Sequence, residues 1–414
     1  MKNNEHKTCK YSFNPYRQEA PDWNKAEYAF LKSSDMLDFH KTIPGYEPTP
    51  LTALPNLTKK LGMKEIFVKD ESFRFGIKAF KALGASYAIH RFLQRAASAP
   101  GESSFTFCAA TDGNHGRAVA WTARRLKQKA VIYMPEDTAR SRIENVEAEG
   151  AKVELVPGTF DDCVEKCAAD AEKNGWQAIS DTAYPGYFEI PQYIMLGYTT
   201  IFREMEGILH KENDAGIDFL FLPAGVGGIA AAGSSYYTLK YKTAGAGPQP
   251  MNVDETISSQ LKEVRKKTIS PQTGSTGKRP KLICVEPAAC DCFLESIRFG
   301  KGSPLPARGK PESIMVGLNC GIPSPAAWPV IRDSMDLFIG ITDNYAVAAM
   351  REYYKENVTS GESGASGLAG LLALLQDKRL RDAKKQIGLN SDSRVLLINT
   401  EGDTDPVNYQ KIVR

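Results

Sequence analysis

What most constrains this chain is a repeated unit: a short apolar run, a loop, then an amphipathic helical stretch. The run 65–69 leads through a loop at 70–76 into a helical pattern over 79–92. The same order recurs from 105–110 into 116–126, from 130–134 through Pro135 into 141–149, and from 153–156 into 160–171. It returns at 219–222, which passes through a glycine-rich turn into 229–239. Apolar residues three and four apart mark the helices, and short apolar runs bounded by turn residues mark the strands. Strands alternating with helices predict an α/β chain built on mostly parallel sheet. In open sheets of this kind, ligands sit beyond the carboxyl ends of the strands, so the loops after each strand are the places to look for chemistry. A last strand over 394–399 runs into Thr400-Glu401-Gly402-Asp403.

The chain has 414 residues, enough for two or three ordinary domains or one large two-lobed enzyme. Its 52 basic and 49 acidic side chains nearly cancel, and no long block of one sign stands out, which argues against a nucleic-acid partner. The polar lead 1–16 lacks an apolar leader core, and no run of apolar residues is long enough to span a bilayer. The chain therefore reads as a soluble, cytoplasmic protein with no membrane partner. Its cysteines, at positions 9, 108, 163, 167, 284, 290, 292 and 320, are scattered through a large chain, as expected of reduced cytosolic thiols. Cys163 and Cys167 are four apart on a helical pattern with no second ligand pair, so they read as packing and no metal is expected. Between Lys240 and Lys281 the composition shifts to Gly, Pro, Ser, Thr and Lys around a short helix at 255–266; the stretch reads as a flexible surface insertion.

Three loops carry chemistry. Ala224-Gly225-Val226-Gly227-Gly228 follows an apolar run and opens a helix. Such a turn can hold a phosphate, because glycines let backbone N–H groups crowd an anion and the helix N-terminus favours negative charge. It is not a Walker loop, since no Lys-Ser/Thr follows. Gly225, Gly227 and Ala230 also fit a dinucleotide fingerprint, but the acidic residue that fingerprint wants would fall in the irregular insertion. A turn needed only for tight packing is the plainer alternative. In Ile77-Lys78-Ala79-Phe80-Lys81-Ala82-Leu83-Gly84, two lysines sit at the mouth of a helix, where burial can make an amine nucleophilic; a single lysine is otherwise a solvated surface group. Thr111-Asp112-Gly113-Asn114-His115-Gly116 offers an amide and a carboxylate between strand and helix, or merely a capped turn.

Together and in this order, the three loops resemble the fold type II family of pyridoxal-phosphate (PLP) enzymes, which includes serine/threonine dehydratases, threonine synthase and the tryptophan synthase β chain. The resemblance implies two open, mostly parallel twisted sheets with helices on both faces. A large cofactor-binding domain would comprise 1–89 and 200–414, with the insertion at 241–280, and a small domain 90–199. It makes pyridoxal 5'-phosphate the cofactor and Lys81, after Phe80, the lysine covalently joined to it. Asn114 would bond the ring's phenolic oxygen, Gly225, Val226, Gly227 and Gly228 would hold the phosphate, and Thr400 would face the pyridine nitrogen. Glu362, in Ser360-Gly361-Glu362-Ser363-Gly364, matches the family's acidic loop near the ring. Homodimers are typical of the family.

The chain departs from the plain dehydratases at Asp112, where they carry a small residue, and at Thr400-Glu401-Gly402-Asp403-Thr404-Asp405, where they usually read Ser-Gly-Gly-Asn. Extra carboxylates suggest an extra cation in the substrate. The stretches 40–46, 181–187, 314–318 and 400–405 look like the diaminopropionate ammonia-lyase branch, which implies elimination of 2,3-diaminopropionate to pyruvate and two ammonia molecules. On that resemblance Lys81 takes the Cα proton of the L-isomer, Asp112 that of the D-isomer, and Asp181 holds the β-ammonium. Thr111, Gly113 and His115 would line the substrate pocket. A serine, threonine or hydroxyaspartate dehydratase remains the rival within the family. Further off stand a catalytically silent PLP-binding or interaction protein and a dinucleotide oxidoreductase.

Overall fold

The computed structural model describes residues 8–19, 21–97, 104–111, 113–205, 216–242, 278–310 and 312–414. Asp112 and the expected helix at 255–266 lie outside the described residues. Eleven strands are described: β1 (Lys10–Phe13), β2 (Leu51–Ala53), β3 (Glu65–Asp70), β4 (Thr106–Ala110), β5 (Lys129–Pro135), β6 (Lys152–Val156), β7 (Gln177–Ala178), β8 (Phe219–Pro223), β9 (Lys281–Pro287), β10 (Leu337–Ile341) and β11 (Arg394–Asn399). They form a seven-stranded sheet in the order β1-β10-β9-β8-β11-β3-β2 and a four-stranded sheet in the order β6-β5-β4-β7. Only the edge pairs β1 with β10 and β2 with β3 run antiparallel; the other pairings are parallel.

Every strand of the repeated units read from the sequence is present. The strands that escaped that reading did so for two reasons. β9 and β10 are almost wholly buried, so their apolar runs lack the alternation that marks a half-exposed strand. β1, β2 and β7 are short edges of two to four residues with no buried position to mark them. The larger sheet is covered on one face by the helix Ser366–Gln376, buried over nearly all its length, which accounts for its Leu- and Ala-rich composition.

Two helices, Lys81–Ala96 and Glu189–Glu204, cross at very close range. A Cβ on Gly84 would lie 2.5 Å from the Tyr198 ring, and one on Gly197 would lie 2.4 Å from the Leu83 carbonyl oxygen. Only hydrogen fits at both points, and the crossing sets the Tyr198 ring beside the start of the first helix, with Phe80 and Tyr198 ring centroids 4.6 Å apart. That helix begins at Lys81, two residues later than its apolar pattern suggests, because the preceding residues are drawn into an extended pairing with the chain after β11. Gly402 N donates to Lys78 O at 2.9 Å, Phe80 N donates to Thr400 O at 3.1 Å, and Ala79 bridges Glu401.

A sealed ionic cluster ties β3 to the end of the helix Glu189–Glu204. Lys69 Nζ lies 2.5 Å from Glu204 Oε2, Arg74 Nη1 lies 2.8 Å from Glu204 Oε1, and Arg74 Nε lies 2.8 Å from Glu71 Oε2. Tyr46 and Thr49 hydroxyls donate to Glu204 and Glu71. All four charged side chains are buried. Cys163 and Cys167 pack with Cys108 against Val131 and Tyr133, and all eight cysteines are free thiols.

Candidate active site

The loops following β4, β7, β8 and β11, together with the start of the helix Lys81–Ala96, converge on one cleft, as expected for ligands at the carboxyl ends of parallel strands. Phe80, Lys81, Thr111, Gly113, Asn114, His115 and Asp181 line it, and so do residues 225–228 and Thr400. Asp112 lies outside the described residues.

Lys81 Nζ lies 2.6 Å from Asp181 Oδ2, and both side chains are more than four-fifths buried. The amine also sits 5.4 Å from the centre of the Phe80 ring and 6.0 Å from that of Tyr198. Burial opposes the ammonium charge, but Asp181 and then Tyr198 favour it, so the lysine's pKa ends above its ordinary value. Asp181 feels the converse: burial opposes its charge, while Lys81 holds its pKa down to about 2. His115 Nε2 donates to Ile179 O at 2.6 Å, which fixes Nδ1 as the unprotonated nitrogen. Burial, and then the Lys81 charge, keep this imidazole neutral, outweighing Asp181.

Thr111 Oγ1 accepts from Gly113 N at 3.0 Å and from Gly116 N at 3.1 Å, so this hydroxyl shapes the turn as well as lining the cleft. Asn114, at the start of the helix Asn114–Arg125, donates from Nδ2 to Glu401 Oε2. Glu362 is placed differently from the other expected residues. It is buried, its carboxylate accepts from Asn408 Nδ2 of the C-terminal helix, and it is not among the cleft-lining residues. Burial, and then the neighbouring Glu401, push its pKa up. The carboxylate that does reach the cleft from this side is Glu401, which was not among the residues expected to form the site. Arg142, Cys320 and Ser363 also line the cleft without having been expected there. Glu401 stands directly after a strand in the acidic Thr400–Asp405 stretch, and Ser363 adjoins Glu362 in the acidic loop Ser360–Gly364, so both carried a signal; Arg142 and Cys320 lie away from every such motif.

The residues fit pyridoxal phosphate. The helix opening at Gly228 leaves its first amides without intrahelical partners, as an anion site requires. A Cβ on Gly225 would lie 3.0 Å from Cys320 Sγ across the cleft, so the space there depends on glycine. An amine for an aldehyde, an amide for a phenolic oxygen and the neutral Thr400 hydroxyl for a ring nitrogen share the cleft, and buried His115 Nδ1 is an acceptor still without a donor. Gly227 has φ +98°, and a Cβ there would lie 2.4 Å from Phe293 Cζ and 2.8 Å from Ile331 Cδ1. Gly227→Ala is therefore expected to destabilise the fold by at least about 1–3 kcal/mol from backbone strain alone, read as a lowered midpoint of urea unfolding. An unchanged midpoint would mean that the turn is not held as described.

The family described as pyridoxal-phosphate dependent enzyme matches residues 42–400. The chain is 35% identical over 433 residues to the diaminopropionate ammonia-lyase of Salmonella typhimurium, covering 99% of this chain and 98% of that protein. It is 36% identical over 395 residues to the diaminopropionate ammonia-lyase of Escherichia coli K12, covering 91% and 89%. Its structure is similar to that of holo diaminopropionate ammonia lyase from Escherichia coli, with TM-score 0.81, 33% identity and coverage of 98% and 97%. A threonine deaminase from Solanum lycopersicum shares the fold at TM-score 0.69 and 18% identity, covering 97% and 96%.

Proposed function

Because this chain belongs to the pyridoxal-phosphate dependent enzymes, we propose that it eliminates ammonia from 2,3-diaminopropionate and, with one water, releases pyruvate and a second ammonia. The observation that carries this reading is the Lys81–Asp181 ion pair at 2.6 Å, in a cleft that also contains the glycine turn 225–228. The near full-length likeness to two diaminopropionate ammonia-lyases supports the choice of substrate.

When bound, pyridoxal phosphate supplies an electron sink that acidifies the Cα–H bond of an amino acid joined to it. The chain's own residues divide the rest of the work. Amides of Gly225, Val226, Gly227 and Gly228 would hold the phosphate, Asn114 would hold the phenolic oxygen, and the uncharged Thr400 hydroxyl would meet the ring nitrogen. Phe80 and Tyr198 wall the Lys81 amine from water. Lys81 Nζ, once free and neutral, takes the Cα proton of the L-isomer. Asp181, ionised across the neutral range, holds the β-ammonium until it leaves as ammonia. Asp112 is assigned the Cα proton of the D-isomer. The reading includes a homodimer in a cytosolic setting. Among the described residues, no helix is long and apolar enough to cross a membrane.

The test is a substrate panel on purified protein containing both diaminopropionate isomers, both serine isomers and threonine, with ammonia and keto acid measured together. The expected result is turnover of diaminopropionate with about two ammonia per pyruvate, the stoichiometry of a diamine elimination. Efficient serine turnover with none of the diamine would move the chain to the dehydratases. In the same panel Asp112→Asn should lose D-isomer turnover and largely spare the L-isomer; equal loss on both would end the assignment of Asp112.

A further inference from the structure

Glu401 is a buried carboxylate gripped from three sides. Its backbone bridges Ala79, two residues before Lys81. Its carbonyl oxygen accepts from Gly361 N at 3.1 Å, and its carboxyl oxygen Oε1 accepts from Ser363 N at 3.1 Å. The other oxygen, Oε2, accepts from Asn114 Nδ2. The side chain is thus fixed at both ends, and one of the two things it touches is the amide expected to meet the cofactor ring.

The amide contact carries information. Oxygen and nitrogen of an asparagine side chain exchange places on a half-turn, and only the partner decides which way it faces. A carboxylate accepts and does not donate, so the Asn114 atom against Glu401 must be Nδ2. That nitrogen has a second hydrogen for another acceptor, and Asn114 lines the cleft. Without Glu401 the amide is free to turn and present Oδ1, an acceptor, to an anionic ring oxygen. The carboxylate also brings negative charge to the cleft wall, and nearby negative charge favours the protonated form of a cationic group.

We propose that Glu401 is a positioning residue for cofactor binding: it orients the Asn114 amide as a donor towards the ring oxygen and keeps the lysine–cofactor linkage protonated. The proposal rests on the pyridoxal-phosphate reading of the cleft. It gives the carboxylate following Thr400 a task separate from that of Asp181.

The experiment titrates cofactor into wild-type, Glu401→Gln, Glu401→Ala and Asn114→Ala proteins, and into the Asn114→Ala/Glu401→Ala double variant. Cofactor Kd and the pH dependence of the visible band are read without turnover. Glu401→Gln keeps an acceptor for Asn114, so its Kd should stay within about threefold of wild type, while the pKa of the band should fall by about one unit through loss of the charge. Glu401→Ala should raise Kd about tenfold through loss of the oriented donor. That increase should vanish in the Asn114→Ala background, since residues acting through one contact are not additive. A role confined to local stability would leave the band pKa of Glu401→Gln unmoved and would make the Kd effects additive, and either result overturns the proposal. If Glu401→Ala does not fold, the band pKa of Glu401→Gln decides alone. Wild-type protein that takes up cofactor while the variants titrate like it sinks only the role of Glu401. Wild-type protein that takes up none sinks the cofactor reading as well.

Discussion

Lys81→Ala protein, refolded or purified with pyridoxal phosphate, should lack the violet absorbance of a lysine-bound cofactor and should eliminate diaminopropionate ~10²–10⁴-fold more slowly, the range over which a general base contributes. The geometry explains why no neighbour should replace it. The amine sits at the first turn of its helix, tied down through Phe80 N to Thr400 O and closed in by the rings of Phe80 and Tyr198. Lys78, the other lysine of the motif, instead points to Asp403, 2.6 Å away, and is nearly half exposed. Because Asp181 holds a proton on the Lys81 amine in spite of its burial, the apoenzyme should take up cofactor faster as pH rises. Borohydride reduction of the wild-type holoenzyme followed by peptide mapping should place the label on Lys81. A label on any other residue removes the basis for the mechanism.

Asp181→Asn should reduce kcat/KM for diaminopropionate by about 10- to 150-fold, corresponding to about 1.5–3 kcal/mol for a hydrogen bond to a charged group. Asparagine keeps the shape and can still accept a hydrogen bond, but it cannot balance an ammonium. Serine has no such cation, so any serine turnover should change much less, and this difference separates a role in substrate recognition from simple damage to the site. Equal losses on diamine and serine would remove Asp181 from recognition. The carboxyl also links stability to pH. Its folded value of about 2 lies below the ordinary 3.8. The apoprotein's ion pair is therefore fully stabilising above about pH 4, and that stabilisation disappears as pH falls through 2. The stability difference between wild type and Asp181→Asn should narrow over the same interval.

The repeated strand–loop–helix order was enough to place β3, β4, β5, β6 and β8, because each pairs an apolar run with an amphipathic helix in short sequence reach, and β11 showed as a last apolar run before an acidic loop. β10 was hidden because a strand covered on both faces reads as a plain apolar run. The start of the helix at Lys81 was misplaced for a tertiary reason: residues 78–80 pair with 400–402, more than three hundred positions away. The same distance explains the site. Lys81, Asn114 and the turn at 225–228 announce themselves within single loops. Which of two acids near the C-terminus faces the cleft depends on partners from elsewhere: Asn408 draws Glu362 away, while Asn114 and Ser363 hold Glu401 in place. Tyr198 likewise reaches Lys81 only because Gly84 and Gly197 let two helices touch.

The sealed cluster of Lys69, Glu71, Arg74 and Glu204 also limits how such a chain can drift over generations. Changing any one member leaves the cluster with an unbalanced charge in a medium that solvates it poorly, whereas exchanging the whole set for apolar side chains of similar volume can be nearly neutral. Inherited variation at these four positions is therefore channelled into joint replacements, and between such events the cluster persists whether or not the reaction has any use for it.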